Sequence, residues 1–303
     1  MPARSPLPEN LREGAFSVQD ALELGVQPGR LRALDLESPF RGVRIDAIEW
    51  DDIFSVCASY ATVMPIDAVF SHVTAARIYG IPIPRVLEQR RDVDVVTREI
   101  QVRASGIIGH RSRPLSIRWV QDLPVVEPAR AFIQLGAILG SDRLVAAGDF
   151  LVRREDPICT MEELHAEAHE SRGVRGIRSI RVALTRIRPG TDSPMETLLR
   201  LVIVRAALPE PVIGHRIYGS RGEYIGRPDL AYVEAKIAIE YEGEYHRTDP
   251  VAFATDIERR ERMQEAGWYV IRVISDHVYA RRAWLVARIR RVLTERSLPS
   301  SVQ

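Results

Sequence analysis

Three carboxylates, Asp229, Glu240 and Glu242, carry the clearest chemistry in the sequence. Arg227-Pro228-Asp229-Leu230-Ala231-Tyr232-Val233 and Lys236-Ile237-Ala238-Ile239-Glu240-Tyr241-Glu242-Gly243 each read as a strand, with Glu234-Ala235 between them. If that dipeptide is a two-residue hairpin turn, Asp229 lies opposite Glu240, and such partners hold their Cβ atoms ~4.5–5.5 Å apart. Side chains alternate along a strand, so Glu242 and Lys236 share the face of Glu240. The other face carries Leu230, Tyr232, Ile237, Ile239 and Tyr241 and suits a core. Acids crowded on one face repel one another. A hard divalent cation removes that cost, because Mg2+ takes carboxylate oxygens and retains waters. Such an ion polarises a phosphodiester and lowers the pKa of a bound water. The alternative is an acidic strand face that is solvated or paired with arginines. Glu234-Ala235 is not a favoured two-residue turn, so this register is an expectation.

The acids need a scaffold. Ser193-Pro194-Met195-Glu196 opens a helix with Ser as N-cap, Pro at N1 and Glu at N3, running to about Ala207. Glu196 serves either that cap or the acid site. Residues 215–218 read as extended, and the two strands above follow. Asp249-Pro250 starts a helix to Ala266, ended by Gly267, and its Arg259 and Arg260 contact phosphate or brace the acids. Trp268-Tyr269-Val270-Ile271-Arg272-Val273-Ile274 is a buried strand, and a last helix covers about residues 281–296. The order is helix, strand, strand, strand, helix, strand, helix.

Upstream, residues 15–45 read helix, turn, helix, extended segment. Ser17 and Asp20 have capping-box-like spacing, Gly25 ends the first helix, and Pro28-Gly29 opens a second with Leu31 and Leu34. Phe40-Arg41-Gly42-Val43-Arg44-Ile45 alternates like a strand. This suits a small winged helix-turn-helix in which Arg41 and Arg44 touch DNA, although short helices beside a strand are common in other settings. Residues 49–170 read as mixed α/β, with helices over 51–64, 71–79, 127–139 and 142–153 and strands over 92–96, 107–111 and 117–120. His72 and His110 have no partner at ligand spacing and read as structural. Arg172, Arg175, Arg178 and Arg181 mark a basic connector, either a solvated helix or a phosphate-contacting patch. Pro189-Gly190 then sets a boundary. The predicted domains are 1–48, 49–170, the connector 171–190, and 191–303.

Composition bounds the rest. The chain has 303 residues, enough for two or three domains, with 46% hydrophobic and 27% charged residues, which excludes disorder for the bulk. Two cysteines exclude a disulfide scaffold and a Cys-based zinc site, which points to a reducing cytoplasmic home. No apolar run approaches the ~20 residues of a membrane span, and the first residues lack a signal-peptide core. Lys plus Arg totals 42, yet Lys236 is the only lysine, a bias that coding composition explains. The net charge of +1 gives no global pull toward nucleic acid, so any such binding must come from local patches.

Ser193-Pro194-Met195-Glu196, Arg227-Pro228-Asp229-Leu230-Ala231, Ile239-Glu240-Tyr241-Glu242-Gly243-Glu244-Tyr245-His246, Asp256-Ile257-Glu258-Arg259-Arg260 and Gly267-Trp268-Tyr269-Val270-Ile271-Arg272-Val273 together resemble the PD-(D/E)XK nuclease superfamily. Within it, the likeness is to very-short-patch-repair-endonuclease-like domains. The resemblance covers about residues 190–296. It implies a restriction-endonuclease-like αβββαβα domain, with a Mg2+ (or Mn2+) site formed by Asp229 and Glu240. Glu242 adds to the ion, Glu196 contributes from the first helix, and His246 handles protons. One departure stands out. The superfamily places Lys two residues after the strand acid, and here that position is Glu242. Lys236, four residues before Glu240, sits at the wrong spacing to replace it.

The first 155 residues resemble the antitoxin of abortive-infection type IV toxin–antitoxin systems. The likeness rests on the N-terminal pattern, on Ser71-His72-Val73-Thr74-Ala75-Ala76-Arg77-Ile78-Tyr79-Gly80-Ile81-Pro82 and on Asp122-Leu123-Pro124-Val125-Val126-Glu127-Pro128. It implies a winged-helix DNA reader on a regulatory domain. The whole reads as an α/β (α+β) chain. These readings imply a metal-dependent DNA endonuclease, with DNA and a cognate toxin or a repair or defence partner as its expected partners. The alternative is a non-catalytic antitoxin-type DNA-binding regulator on a degenerate nuclease fold.

Overall fold

The computed structural model describes residues 5–99, 101–112, 116–243 and 250–297, with backbone alone for 250–254. The chain forms two compact units, Met1–Leu139 with Glu163–Ile180, and Gly140–Glu162 with Arg181–Gln303. Helices and mixed sheets make up both, the α/β class that the sequence suggests.

The first unit opens with β1 (Phe16–Ser17), α1 (Val18–Glu23), a 3-10 turn at Arg30–Arg32, and β2 (Val43–Arg44), which pairs antiparallel with β1. Ser17 caps α1 by accepting the Asp20 N–H at 3.0 Å, as its spacing predicts. The predicted second helix is only the 3-10 turn. Arg30 turns back onto Asp35 through two hydrogen bonds of 3.1 and 2.9 Å, and Leu34 is exposed, so no apolar face supports a longer helix.

There follow α2 (Ile53–Ala61), β3 (Val69–Phe70), α3 (His72–Ile78), α4 (Arg85–Glu88), β4 (Val93–Thr97), β5 (Arg103–Ala104), β6 (Ile107–Arg111), β7 (Ile117–Val120), β8 (Leu123–Val126) and α5 (Pro128–Leu135). Their six strands make one sheet in the order β5-β6-β4-β3-β8-β7. β4, expected as a strand from its alternation, is buried along its whole length, polar Asp94 and Thr97 included. Its neighbours are β6, parallel, and β3, antiparallel.

The second unit begins with α6 (Ser141–Leu151). Past α7 (Met161–Glu170), which falls mainly in the first unit, and α8 (Ile177–Leu184), which spans the division, it continues with α9 (Pro194–Arg205), β9 (Val212–Ile213), β10 (Ile217–Tyr218), β11 (Tyr224–Gly226), β12 (Leu230–Tyr232), β13 (Ile237–Glu242), α10 (Pro250–Glu265), β14 (Tyr269–Ile274), α11 (Ser275–Tyr279) and α12 (Arg282–Ser297). The sequence reading assigns α6 to the middle domain, but it packs in this unit instead. Buried Arg200 of α9 holds Asp149 of α6 at 2.9 Å, and Thr197 donates to the same carboxylate oxygen at 2.8 Å.

A four-stranded sheet runs β14-β13-β12-β9, parallel between β13 and β14 and antiparallel elsewhere. A parallel neighbour needs a crossover, and α10 supplies it. The predicted first strand at 215–218 is not in this sheet. β9 takes that place, and β10 forms a separate hairpin with β11. Ile237 and Ile239 on one sheet face pack with Leu198, Leu199 and Ile203 of α9 and with Leu285 and Ile289 of α12. Each such full burial contributes roughly 1.5–3 kcal/mol. Ala231 and Ala238 face the other way, against Met263, Trp268 and Ile225.

Candidate functional site

The β12–β13 register is Leu230↔Ile239, Ala231↔Ala238 and Tyr232↔Ile237, and one further step sets Asp229 opposite Glu240. The turn closes through a 3.1 Å bond from the Lys236 N–H to the Val233 carbonyl, with Lys236 itself in the left-handed region at φ +48°. The hairpin expected from the residues is thus the one observed. Asp229 Oδ2 accepts the Tyr241 N–H at 2.6 Å, which fixes the carboxyl at the strand end. The predicted faces hold as well, since Glu240 shares the small-residue face of Ala238.

α10 lies over that face and delivers cations to the acids. Arg259 Nη2 stands 3.0 Å from Glu240 Oε1, an ion pair that is not aligned as a hydrogen bond, so this buried oxygen has no hydrogen-bond donor. Arg260 Nε reaches Glu240 Oε2 at 3.3 Å and its Nη2 reaches Glu242 Oε1 at 2.9 Å. Asp256 ties both arginines, Arg259 at 2.6 Å and Arg260 through a close contact. Gly226 lets the Arg259 stem pass, because a Cβ there would lie 3.0 Å from Arg259 Cδ and 2.7 Å from Met263 Cε. Arg272, in register with Glu240 on β14, grips both oxygens of Glu242.

Glu196 is buried at the start of α9 and accepts the Asp192 N–H at 2.9 Å, while Ser193 Oγ accepts the Glu196 N–H at 3.2 Å. Its capping role is therefore real. Burial pushes its carboxyl up, and the hydrogen bonds from Asp192 and Ser193 oppose this. Asp229 is pushed up to about 7, first by burial and then by the charge of Glu196, with Glu240 adding to it. Glu196 and Glu240 therefore both act on Asp229 electrostatically, while Glu242 is spent on Arg260 and Arg272.

Oxygen donors of this kind suit a hard cation. Asp229 and Glu240 would hold it, Glu240 through the oxygen that has no hydrogen bond, with Glu196 alongside. Lys236 takes no part: its Nζ donates to the Ala266 carbonyl at 3.1 Å, at the opposite end of β13 from Glu242. His246 lies outside the described residues. Arg44 is committed to its own domain through the carbonyls of Leu31 at 2.6 Å and Val43 at 2.7 Å, whereas Arg41 is exposed. Asp256 and Arg272 are the members that sequence reasoning missed as partners of the acids. The Asp256, Arg259, Arg260 spacing was a readable helix-face signal. Arg272 was not readable, because only the parallel register brings it beside Glu242.

The first unit holds a second polar cluster. His72, Asp94 and His110 each offer a ligand atom, all within 4.8 Å of one another, the one such group of three His, Cys, Asp or Glu among the described residues. Both histidines were expected to stand alone, and the structure corrects this. Their rings stack with centroids 3.5 Å apart, and His110 Nε2 lies 2.9 Å from Asp94 Oδ1. Burial lowers the pKa of both rings, that of His72 to about 3 with the His110 charge adding to the effect. No local spacing announces the group, because it is assembled from a helix start and two strands.

No family model matches the chain. Two curated proteins of Mycobacterium tuberculosis, the uncharacterized proteins Rv2248 and MT2308, are each 27% identical over 248 residues, spanning 82% of this chain and 89% of theirs. A match of that length takes in parts of both units. No solved structure matches. Among the described residues, no helix is long and apolar enough to cross a membrane.

Proposed function

We propose that the chain is a metal-dependent endonuclease that hydrolyses phosphodiester bonds in DNA. One observation carries this reading. Four carboxylates, Asp229, Glu240, Glu242 and Asp256, gather against three guanidiniums, Arg259, Arg260 and Arg272, and the charge of Glu196 also acts on Asp229. The acids around Asp229 outnumber these guanidiniums, an imbalance that a divalent cation would relieve. Asp229 and Glu240 would hold Mg2+ or Mn2+, which would supply Lewis-acid polarisation of the phosphodiester. Glu196 stands beside Asp229, Arg260 and Arg272 keep Glu242 from adding a further unpaired charge, and Arg259, paired with Glu240, would contact a phosphate. DNA is the partner, with the exposed Arg41 and the exposed arginines at 172, 175, 178 and 181 as phosphate contacts.

The test is cleavage of plasmid and of mismatched duplex with Mg2+ or Mn2+. Wild type should cut and Asp229→Ala should not. Equal cutting by both sinks the assignment.

A second reading is favoured by the arginines themselves. Glu242 stands where the superfamily has Lys, and Arg260 with Arg272 neutralises it, so the fold can serve as a binding platform without catalysis. That antitoxin-type regulator would bind its own promoter in EDTA, lose binding on Arg41→Ala, and cut nothing. A cognate toxin or a repair or defence partner belongs to either reading.

A further inference from the structure

The His72, Asp94 and His110 cluster lies outside the acid site and has no role in the function proposed above. Its construction is specific. Asp94 pairs with Ile108 between β4 and β6, so His110, two residues on, projects from the same face as Asp94. His72 arrives from the start of α3, after Ser71, whose N–H donates to the Asp94 carbonyl at 3.0 Å.

His72 pays for its place with a left-handed backbone, φ +50°, which costs a non-glycine residue about 1–3 kcal/mol. The Gln134 side chain locks it there by accepting the His72 N–H at 2.8 Å. The result is two imidazoles face to face, 15° from parallel, beside a carboxylate that is buried. Stacked imidazoles alone give little return for that strain, whereas a shared cation does. The surrounding bonds are those that orient ligands. His72 Nδ1 sits 3.0 Å from Ser71 Oγ, which leaves Nε2 for an ion. Arg90 holds Asp94 Oδ2, which leaves Oδ1 turned to His110. Thr74 Oγ1 accepts the Asp94 N–H at 2.8 Å and pins the strand. Ligands ~2.0–2.2 Å from one zinc stand about 3.3–3.6 Å from each other in a tetrahedron; the ligand atoms here lie within 4.8 Å of one another, and the two rings must turn out of their stack to aim their in-plane lone pairs at one ion. Two imidazole nitrogens and one carboxylate oxygen suit first-row transition ions rather than Mg2+.

We propose that His72, Asp94 and His110 bind a divalent transition ion of the Zn2+ class. Three protein ligands leave a coordination position open, on the side where the His110 side chain is 29% exposed. The ion takes the place of the proton shared between His110 and Asp94, and Arg90 remains on the outer oxygen.

The test uses the full-length protein, stripped with EDTA, dialysed, and titrated with ZnCl2 by calorimetry at neutral pH. Wild type and Asp229→Asn should each take up one ion here. In His110→Ala uptake should weaken by more than ~100-fold, beyond the ~10–100-fold cost of losing an outer partner. Zn2+ should also raise the melting midpoint of wild type, and EDTA should reverse the rise. A stripped wild type with neither heat nor midpoint change overturns the site whatever the variants do. So does a His110→Ala protein that binds as tightly as wild type, or uptake that is lost with Asp229→Asn.

Discussion

Replacing Asp229 by Asn should make the metal-free protein more stable above neutral pH. The carboxyl is held from 3.8 up to about 7 by burial and by the neighbouring Glu196 and Glu240 charges. A folded pKa above the unfolded one means that the native state keeps a proton the unfolded chain has released. The stability this gives is complete below the unfolded value of 3.8 and is lost as pH rises through about 7. At ~1.4 kcal/mol per tenfold, the full loss is at most about 4 kcal/mol, and water reaching a partly exposed carboxyl cuts this to ~1–2 kcal/mol. Asn does not titrate, its Oδ1 still accepts the Tyr241 N–H, and its amide can donate to the adjacent acids. Thermal melts in EDTA should therefore show the variant equal to wild type near pH 4 and higher by ~2–8 °C near pH 8. Adding Mg2+ should raise wild type near pH 8, raise it little near pH 5, and leave Asp229→Asn unmoved. A variant that is no more stable at the higher pH, or that gains as much from Mg2+ as wild type, refutes the like-charge account of this site.

Breaking the buried pair in the second unit should be costly. Arg200→Met leaves Asp149 without its cation and should lower unfolding free energy by ~3–5 kcal/mol in denaturant titration, since both side chains are essentially inaccessible. Arg272→Ala should cost under ~1 kcal/mol because Arg272 is half exposed. Arg260→Ala should cost more and should tighten Mg2+ binding by calorimetry, because it takes one cation from each of Glu240, Glu242 and Asp256, leaving Arg259 and Arg272 as their remaining partners. Cys57 is fully buried and burial raises its thiol pKa, so a thiol reagent should label it only on unfolding.

Much of the candidate site was legible because its logic is local. A hairpin with a two-residue turn converts sequence distance into spatial distance, so Asp229 and Glu240 could be set opposite each other from spacing alone. The Ser193 cap with Pro194 at N1, and the apolar alternation that buries Ile237 and Ile239, work over three or four residues and read in the same way. The arginines of α10 were legible as a charged face but not as partners, since which acid they meet depends on how the helix crosses the sheet.

The amino-acid sequence by itself determined α9, the β12–β13 hairpin with its register, the α10–β14–α12 succession and the identity of the acids. These follow from side-chain periodicity and turn length, which act between near neighbours. Only the tertiary structure decided where α6 packs, that the N-terminal second helix is one 3-10 turn, that Arg272 claims Glu242, and that two histidines and an aspartate meet. Each of these depends on pairing between segments far apart in the chain, where burial and charge balance select the partner and no local spacing records the choice.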